Sequence, residues 1–189
     1  MRRTHLFALM LLATIGFVSN AEAKNRDKSW EFGAMVIHFD PSHTTGVQNS
    51  IGEEIRFGYN FTQKVEGELL YSVTDTDVDG HDDDFTRILA VITGSFLTDR
   101  DSRTVPFISA GLGVIQETRK AFTDNSGTRV GESFDSSAIL MLGVGARTFF
   151  NDNWGMRYEV RYQHHDSFTV GQDEFLVCAG VTWVVGGRK

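Results

Sequence analysis

The chain has 189 residues, with 18 Lys and Arg against 25 Asp and Glu, for a formal net charge of −7. That acidity, with no basic patch along the sequence, argues against nucleic acid as a partner, since phosphate binding needs clustered cations. The single cysteine, Cys178, rules out an internal disulfide. Mean hydropathy is −0.19, and beyond the N-terminus no apolar run approaches membrane-helix length.

The first element is a leader. Arg2 and Arg3 give a positive start, Leu6 to Val18 an apolar stretch, and Ala21-Glu22-Ala23 a small-residue cleavage site. The apolar stretch is short of the about 20 residues that a spanning helix needs. Residues 1–23 are therefore expected to be a cleaved signal peptide, and 24–189 one mature domain beginning at Lys24. No Cys follows the apolar stretch, so a lipoprotein is not indicated. The two arginines alone are weak grounds for twin-arginine export, which carries folded proteins.

After the leader, alternation of apolar and polar residues predicts eight strands. They cover Trp30–Phe39, Ile51–Phe61, Lys64–Thr74, Phe85–Phe96, Val105–Glu117, Phe134–Phe149, Trp154–His164 and Glu174–Val185. Several fit the about 9–11 residues of a tilted transmembrane strand. Connectors at Thr62-Gln63 and Asn151-Asp152-Asn153 read as tight turns. Asp40–Ser50, Asp75–Asp84, Thr118–Ser133 and His165–Asp173 read as long polar loops. Short turns on one side and long loops on the other are the outer-membrane pattern, with both termini in the periplasm. The Leu97–Thr104 connector fits it least well.

The strand faces separate the chemistry. Ile55, Phe57, Tyr59 and Phe61 share one face of the second strand, while Glu54, Arg56, Gly58 and Asn60 share the other. The seventh strand divides Met156, Tyr158, Val160 and Tyr162 from Gly155, Arg157, Glu159, Arg161 and Gln163. In the last, Phe175, Val177, Ala179, Val181, Trp183 and Val185 form an apolar face that would be a liability in water. A soluble ligand-carrying barrel would show the same period with its faces reversed. Two features favour lipid outside. Gly58, Gly111, Gly113, Gly143, Gly145, Gly155 and Gly180 fall on the face assigned inward, with Gly67 and Gly94 as exceptions. Tyr59, Phe61, Phe96, Phe107, Phe149, Phe150, Trp154 and Trp183 map to the strand ends nearest the periplasm, where an interfacial girdle belongs.

From Trp30 to Trp183 the sequence resembles the OmpA-like outer-membrane β-barrel domains. The resemblance lies in Trp30-Glu31-Phe32-Gly33, in Arg56-Phe57-Gly58-Tyr59-Asn60-Phe61, and in Val105-Pro106-Phe107-Ile108-Ser109-Ala110-Gly111-Leu112-Gly113. Gly143-Val144-Gly145-Ala146-Arg147 and Asn153-Trp154-Gly155-Met156-Arg157 add to it. It implies an all-β, eight-stranded antiparallel up-and-down transmembrane barrel with no catalytic residues. Such barrels commonly end on an aromatic residue read by assembly machinery, whereas this chain continues past Trp183 to Gly186-Gly187-Arg188-Lys189.

Three constellations could carry chemistry. Asp75-Thr76-Asp77-Val78-Asp79-Gly80 opens like a calcium loop, but Thr86 stands at the twelfth position, where a bidentate acid is required. It reads as a solvated acidic loop, with a weak divalent-cation site shared with lipopolysaccharide phosphates as the alternative for Asp75, Asp77 and Asp79. His164-His165-Asp166-Ser167 contains a His-x-Ser pair similar to that of the outer-membrane lipid A deacylases. That resemblance implies His165 as base, Ser167 as nucleophile and Glu174 as orienter on the outer wall. Members of that family usually follow the Ser with Asn, where this chain has Phe168, and place the acid farther along. Finally, Glu54, Arg56, Glu66, Glu68, Arg87, Arg147, Arg157, Glu159 and Arg161 fall inward, predicting crossed ion pairs that plug the lumen.

The reading that follows is a monomeric, non-enzymatic outer-membrane barrel with no cofactor, metal or assigned site residues. Its expected surroundings are outer-membrane lipid and lipopolysaccharide, and it would act through its surface loops or as a structural element. The alternatives are a lipid A deacylase and an adhesin or host-factor-binding barrel. The ligand of the loops is not written in the sequence.

Overall fold

The computed structural model describes residues 26–41, 50–78, 81–96, 103–123, 129–167 and 170–188. The expected leader lies outside them. The strands are β1 (Asp27–Pro41), β2 (Ser50–Asn60), β3 (Val65–Val78), β4 (His81–Ser95) and β5 (Thr104–Arg119). They continue with β6 (Phe122–Thr123), β7 (Arg129–Val130), β8 (Ser133–Phe149), β9 (Trp154–Ser167) and β10 (Val170–Arg188). Eight of them close into one barrel in the order β1-β10-β9-β8-β5-β4-β3-β2. Every neighbouring pair is antiparallel. The two-residue β6 and β7 pair with each other in the connector between β5 and β8.

Closure follows from the strand sequences. Each alternates a side chain suited to lipid with one suited to a packed polar interior, so only a sheet with two unlike surroundings satisfies both faces. Ile92 and Leu112 are 67 % and 66 % exposed on the outside. Their neighbours Val91, Thr93 and Gly111 are buried.

Turn chemistry sets the hairpins at one end. Thr62 Oγ1 accepts the backbone N–H groups of Lys64 and Val65 at 3.1 and 3.0 Å, while Phe61 donates to the Val65 carbonyl at 2.9 Å. Asn151 Oδ1 accepts those of Asn153 and Trp154 at 2.9 and 2.8 Å. These side-chain-to-backbone turns reverse the chain within a few residues.

The opposite end departs from expectation. Asp75–Asp84 and His165–Asp173, read as long loops, are mostly strand. β3 and β4 remain paired up to Val78 opposite His81, and β9 and β10 up to Ser167 opposite Val170. Asp75, Asp77 and Val78 are therefore extended and do not wrap as a calcium loop would. Once a ladder is established, backbone pairing carries it through a polar stretch that sequence alone reads as loop.

Two further expectations change. Phe107 and Phe149, counted in the girdle, are each 1 % exposed and point into the lumen. Their parity with the inward Gly111 and Gly145 already put them there. The tail beyond Trp183 belongs to β10, with Gly186 opposite Ser29 and Arg188 opposite Asp27. Gly186 and Gly187 have φ of 77° and 83°, a backbone conformation that favours glycine. Arg26 Nη1 donates to the Gly186 carbonyl at 3.1 Å, and Nη2 bonds the Asp152 carbonyl.

A narrow lumen leaves no room for side chains at some positions. A Cβ on Gly113 would press on the Ile88 carbonyl and come within 2.8 Å of the Leu89 Cα, both rigid backbone. On the outward Gly94 its nearest neighbour would be Ile108 Cγ1 at an ordinary 3.8 Å. Gly113→Ala is expected to destabilise the barrel by about 1–3 kcal/mol through overpacking, and Gly94→Ala to leave it nearly unchanged. Urea unfolding from vesicles, followed by the heat-dependent gel shift of the closed barrel, measures both.

Candidate functional site

The only dense gathering of charged side chains among the described residues is the lumen. Five arginines and six glutamates are buried: Arg56, Arg87, Arg147, Arg157 and Arg161 against Glu31, Glu54, Glu66, Glu68, Glu159 and Glu174. All nine residues predicted to face inward do so. Glu31 and Glu174 were missed as members of the set. Glu31 sits between Trp30 and Phe32 on the side opposite both rings, so strict alternation was the signal that would have identified it. Glu174 lay at the edge of a segment read as loop, although it had been named as a candidate orienter.

The pairs cross the barrel. Arg161 forms a fork with Glu54, Nη1 to Oε2 at 2.5 Å and Nη2 to Oε1 at 2.7 Å, and also reaches Glu159 at 3.0 Å. Arg56 bonds Glu159 at 2.6 Å and, through Nε, Glu68 at 2.8 Å. Arg157 donates to both oxygens of Glu68 at 3.1 Å across the full width of the ring, since β9 and β3 lie on opposite sides of it. Arg147 bonds Glu31 at 3.0 Å and also Glu66. Ser109 donates to Glu159 at 2.6 Å, and Thr93 to Glu68. The Phe107 ring lies under two guanidinium groups, with its centroid 4.2 Å from that of Arg157 and 5.3 Å from that of Arg147.

This network is bounded by apolar packing. At the turn end Val105, Phe149 and Val184 cluster. Toward the loops Met35, Ile37, Leu176 and Cys178 pack together, and Leu70, Phe85, Leu89, Val91, Ile115, Ile139 and Met141 form a larger group. A second polar level lies nearer the loops. Arg87 of β4 reaches Glu174 of β10 at 3.2 Å across the ring and Thr74 at 3.1 Å, while His165 Nε2 is 3.0 Å from the other Glu174 oxygen.

The deacylase candidates can be placed against this. His165 and Glu174 do meet, but inside the barrel, where they are 4 % and 1 % exposed. Acyl chains lie outside it. Ser167 ends β9 and its side chain lies outside the described residues. The outer wall instead carries His164, whose Nδ1 is 2.8 Å from Asp173 Oδ1, and Tyr162, whose hydroxyl donates to the same oxygen at 2.6 Å. Of the acidic motif, Asp75 and Asp84 stand opposite each other in register, and Lys120 reaches Asp84 at 3.0 Å. The side chains of Asp77 and Asp79 lie outside the described residues. Among the described residues, no three His, Cys, Asp or Glu side chains are arranged to hold a metal ion.

Buried charges tolerate no widowed partner. Arg161→Leu removes the fork to Glu54 and is expected to destabilise the barrel by about 3–5 kcal/mol. The double variant Arg161→Leu/Glu54→Leu should recover part of that loss. Val160→Ala, at the adjacent outward position, should cost far less because lipid fills the space. Urea midpoints in vesicles compare the three, and equal sensitivity of Val160 and Arg161 would contradict the inside-out assignment.

Comparison with known proteins places this geometry. Among curated proteins none matches the chain. In structure it is similar to Neisserial surface protein A, with a TM-score of 0.68 at 18 % identity over 83 % of this chain and 99 % of that one. It is also similar to the N-terminal β-barrel domain of Pseudomonas aeruginosa OprF, with a TM-score of 0.55 at 21 % identity over 85 % and 99 %. The attachment invasion locus protein Ail of Yersinia pestis gives 0.56 at 13 % identity over 85 % and 99 %. The outer membrane protein beta-barrel domain family matches residues 8–182. The chain belongs to that family and is an eight-stranded β-barrel of the outer membrane.

Proposed function

We propose that this barrel is a non-enzymatic surface protein whose lumen is a structural plug and whose activity resides in the strand ends and connectors beyond the membrane. The observation that carries the reading is the crossed ion-pair network. Glutamates and arginines of opposite walls occupy the interior, so solute passage would require breaking several buried pairs at once. The outward face offers only lipid-compatible side chains across most of its height. What remains for recognition is the loop end, where β3, β4, β5 and β8 run on past the apolar belt and β6 and β7 form a small hairpin of their own.

Charge narrows the partner. The β3–β4 tip carries Asp75, Asp77, Asp79, Asp82, Asp83 and Asp84 within ten residues. Ail has been solved with the heparin analogue sucrose octasulfate, a polyanion. A tip of this sign repels such a ligand, so what it recognises is a neutral or cationic patch of a partner protein and not a polyanionic glycan. The deacylase reading has no support from the wall, because the His165–Glu174 pair faces the lumen.

Two measurements test the proposal. Expression in a non-adherent Gram-negative host is expected to raise attachment to epithelial monolayers. Replacing residues 120–132 by a two-residue turn should return attachment to the empty-vector level while the heat-dependent gel shift persists. Full attachment without the connector, or none with it, defeats the surface reading. Mass spectrometry of lipid A from the same strains is expected to show no lost acyl chain. Loss of one chain with the native protein, abolished in Ser167→Ala, would promote the hydrolase.

A further inference from the structure

Rings that anchor a barrel at the membrane interface have no reason to prefer one side of it, since the interface surrounds the protein evenly. Here they do prefer one. In the half of the wall nearer the turns, Trp154 and Tyr158 of β9, Trp183 of β10, Trp30 and Phe32 of β1, and Phe57 and Tyr59 of β2 all face outward, with Phe61 just beyond β2. On β3, β4, β5 and β8 that same height is mostly aliphatic, with residues such as Leu69, Ile92, Ile108 and Val144, and among the described residues its exposed rings are Phe96 and, midway along β3, Tyr71. The crowded side is centred on β1 and β10, the strands that join the two ends of the chain.

The rings are in register as well as near one another. Trp154 stands opposite Trp183, Trp183 opposite Phe32, and Phe32 opposite Phe57, a row of four directly paired positions across β9, β10, β1 and β2. Their centroids are 5.9, 5.8 and 5.3 Å apart. One rung away, Trp30 stands opposite Tyr59 at 4.7 Å and also stacks on Phe57 at 5.0 Å. These are separations at which aromatic pairs attract beyond their buried area.

We infer that this row is a clasp that draws the first strand onto the last and so drives closure of the barrel. β1 and β10 are the most distant pair in sequence, and a pairing of such separation gains nothing from local chain connectivity. Until it forms, both strands have unpaired backbone edges, which lipid does not tolerate. One ring contact, Phe32 with Trp183, crosses this junction, and Trp154 and Phe57 flank it from the adjoining hairpins; the other seven junctions are closed by connections along the chain. The asymmetry of the wall then follows from the position of the seam.

The test is the rate at which purified, urea-unfolded full-length protein acquires the heat-shifted closed form in phosphatidylcholine vesicles. Phe32→Leu and Trp183→Leu are each expected to slow it about two- to tenfold, the range set by ring-pair energies. Phe32→Leu/Trp183→Leu should be no slower than the slower single variant, because either substitution alone already removes the ring contact that crosses the seam. Phe32→Tyr, which keeps a ring, and Phe96→Leu, which alters an interfacial ring of the opposite wall, should close at the native rate. Failure of both Leu variants to close, with Phe32→Tyr and Phe96→Leu closing normally, also supports the clasp. Additive slowing in the double variant, or equal slowing by Phe96→Leu, overturns it and leaves the rings as interfacial anchors alone.

Discussion

In hydrocarbon no water is available to bond an exposed peptide group, and that constraint orders this structure from outside to inside. It requires the sheet to close, which β1 and β10 accomplish. Closing eight strands leaves an interior only as wide as the side chains that fill it. Charges placed there have neither water nor space, so each guanidinium must find a carboxylate on another wall. Arg157 with Glu68 and Arg87 with Glu174 span opposite strands for this reason. Near balance between buried acid and base keeps such a core from carrying a large net charge.

The fold was legible because its two environments impose opposite residue types at every step of a strand. A glutamate at 54 and an isoleucine at 55 fall on opposite faces, glycines and interfacial rings indicate which face meets lipid, and the eight strands and both tight turns follow. The reading failed where that contrast disappears. At Asp75–Asp77 and His165–Ser167 both faces are polar, so alternation carries no signal, and the ladder extends by backbone pairing alone. Phe107 shows a different failure. Its ring was read by type as interfacial, whereas its parity with Gly111 placed it under Arg157. Parity is dictated by the sheet and residue type is only a preference, so parity prevails.

Of the chemistry, the charged lumen was readable and its partners were not. Sequence places Arg161 and Glu54 inward, but which arginine meets which glutamate depends on the stagger of strands distant in the chain. His164 and His165 illustrate the same limit. Adjacent in sequence, they sit on opposite surfaces, one with Asp173 on the outer wall and one with Glu174 in the lumen. A motif that spans both therefore mixes residues from two compartments.

The lone thiol has a practical consequence. Cys178 is 1 % exposed, packed among Met35, Ile37 and Leu176 on the lumen side of β10. Maleimide reagents have no route to it in the closed barrel. A cysteine introduced at an outward or loop position would therefore be the sole label acceptor in the folded protein, with no need to remove the native one. Unfolded protein would accept a second label. The ratio of labels would then count open and closed barrels in a mixed population.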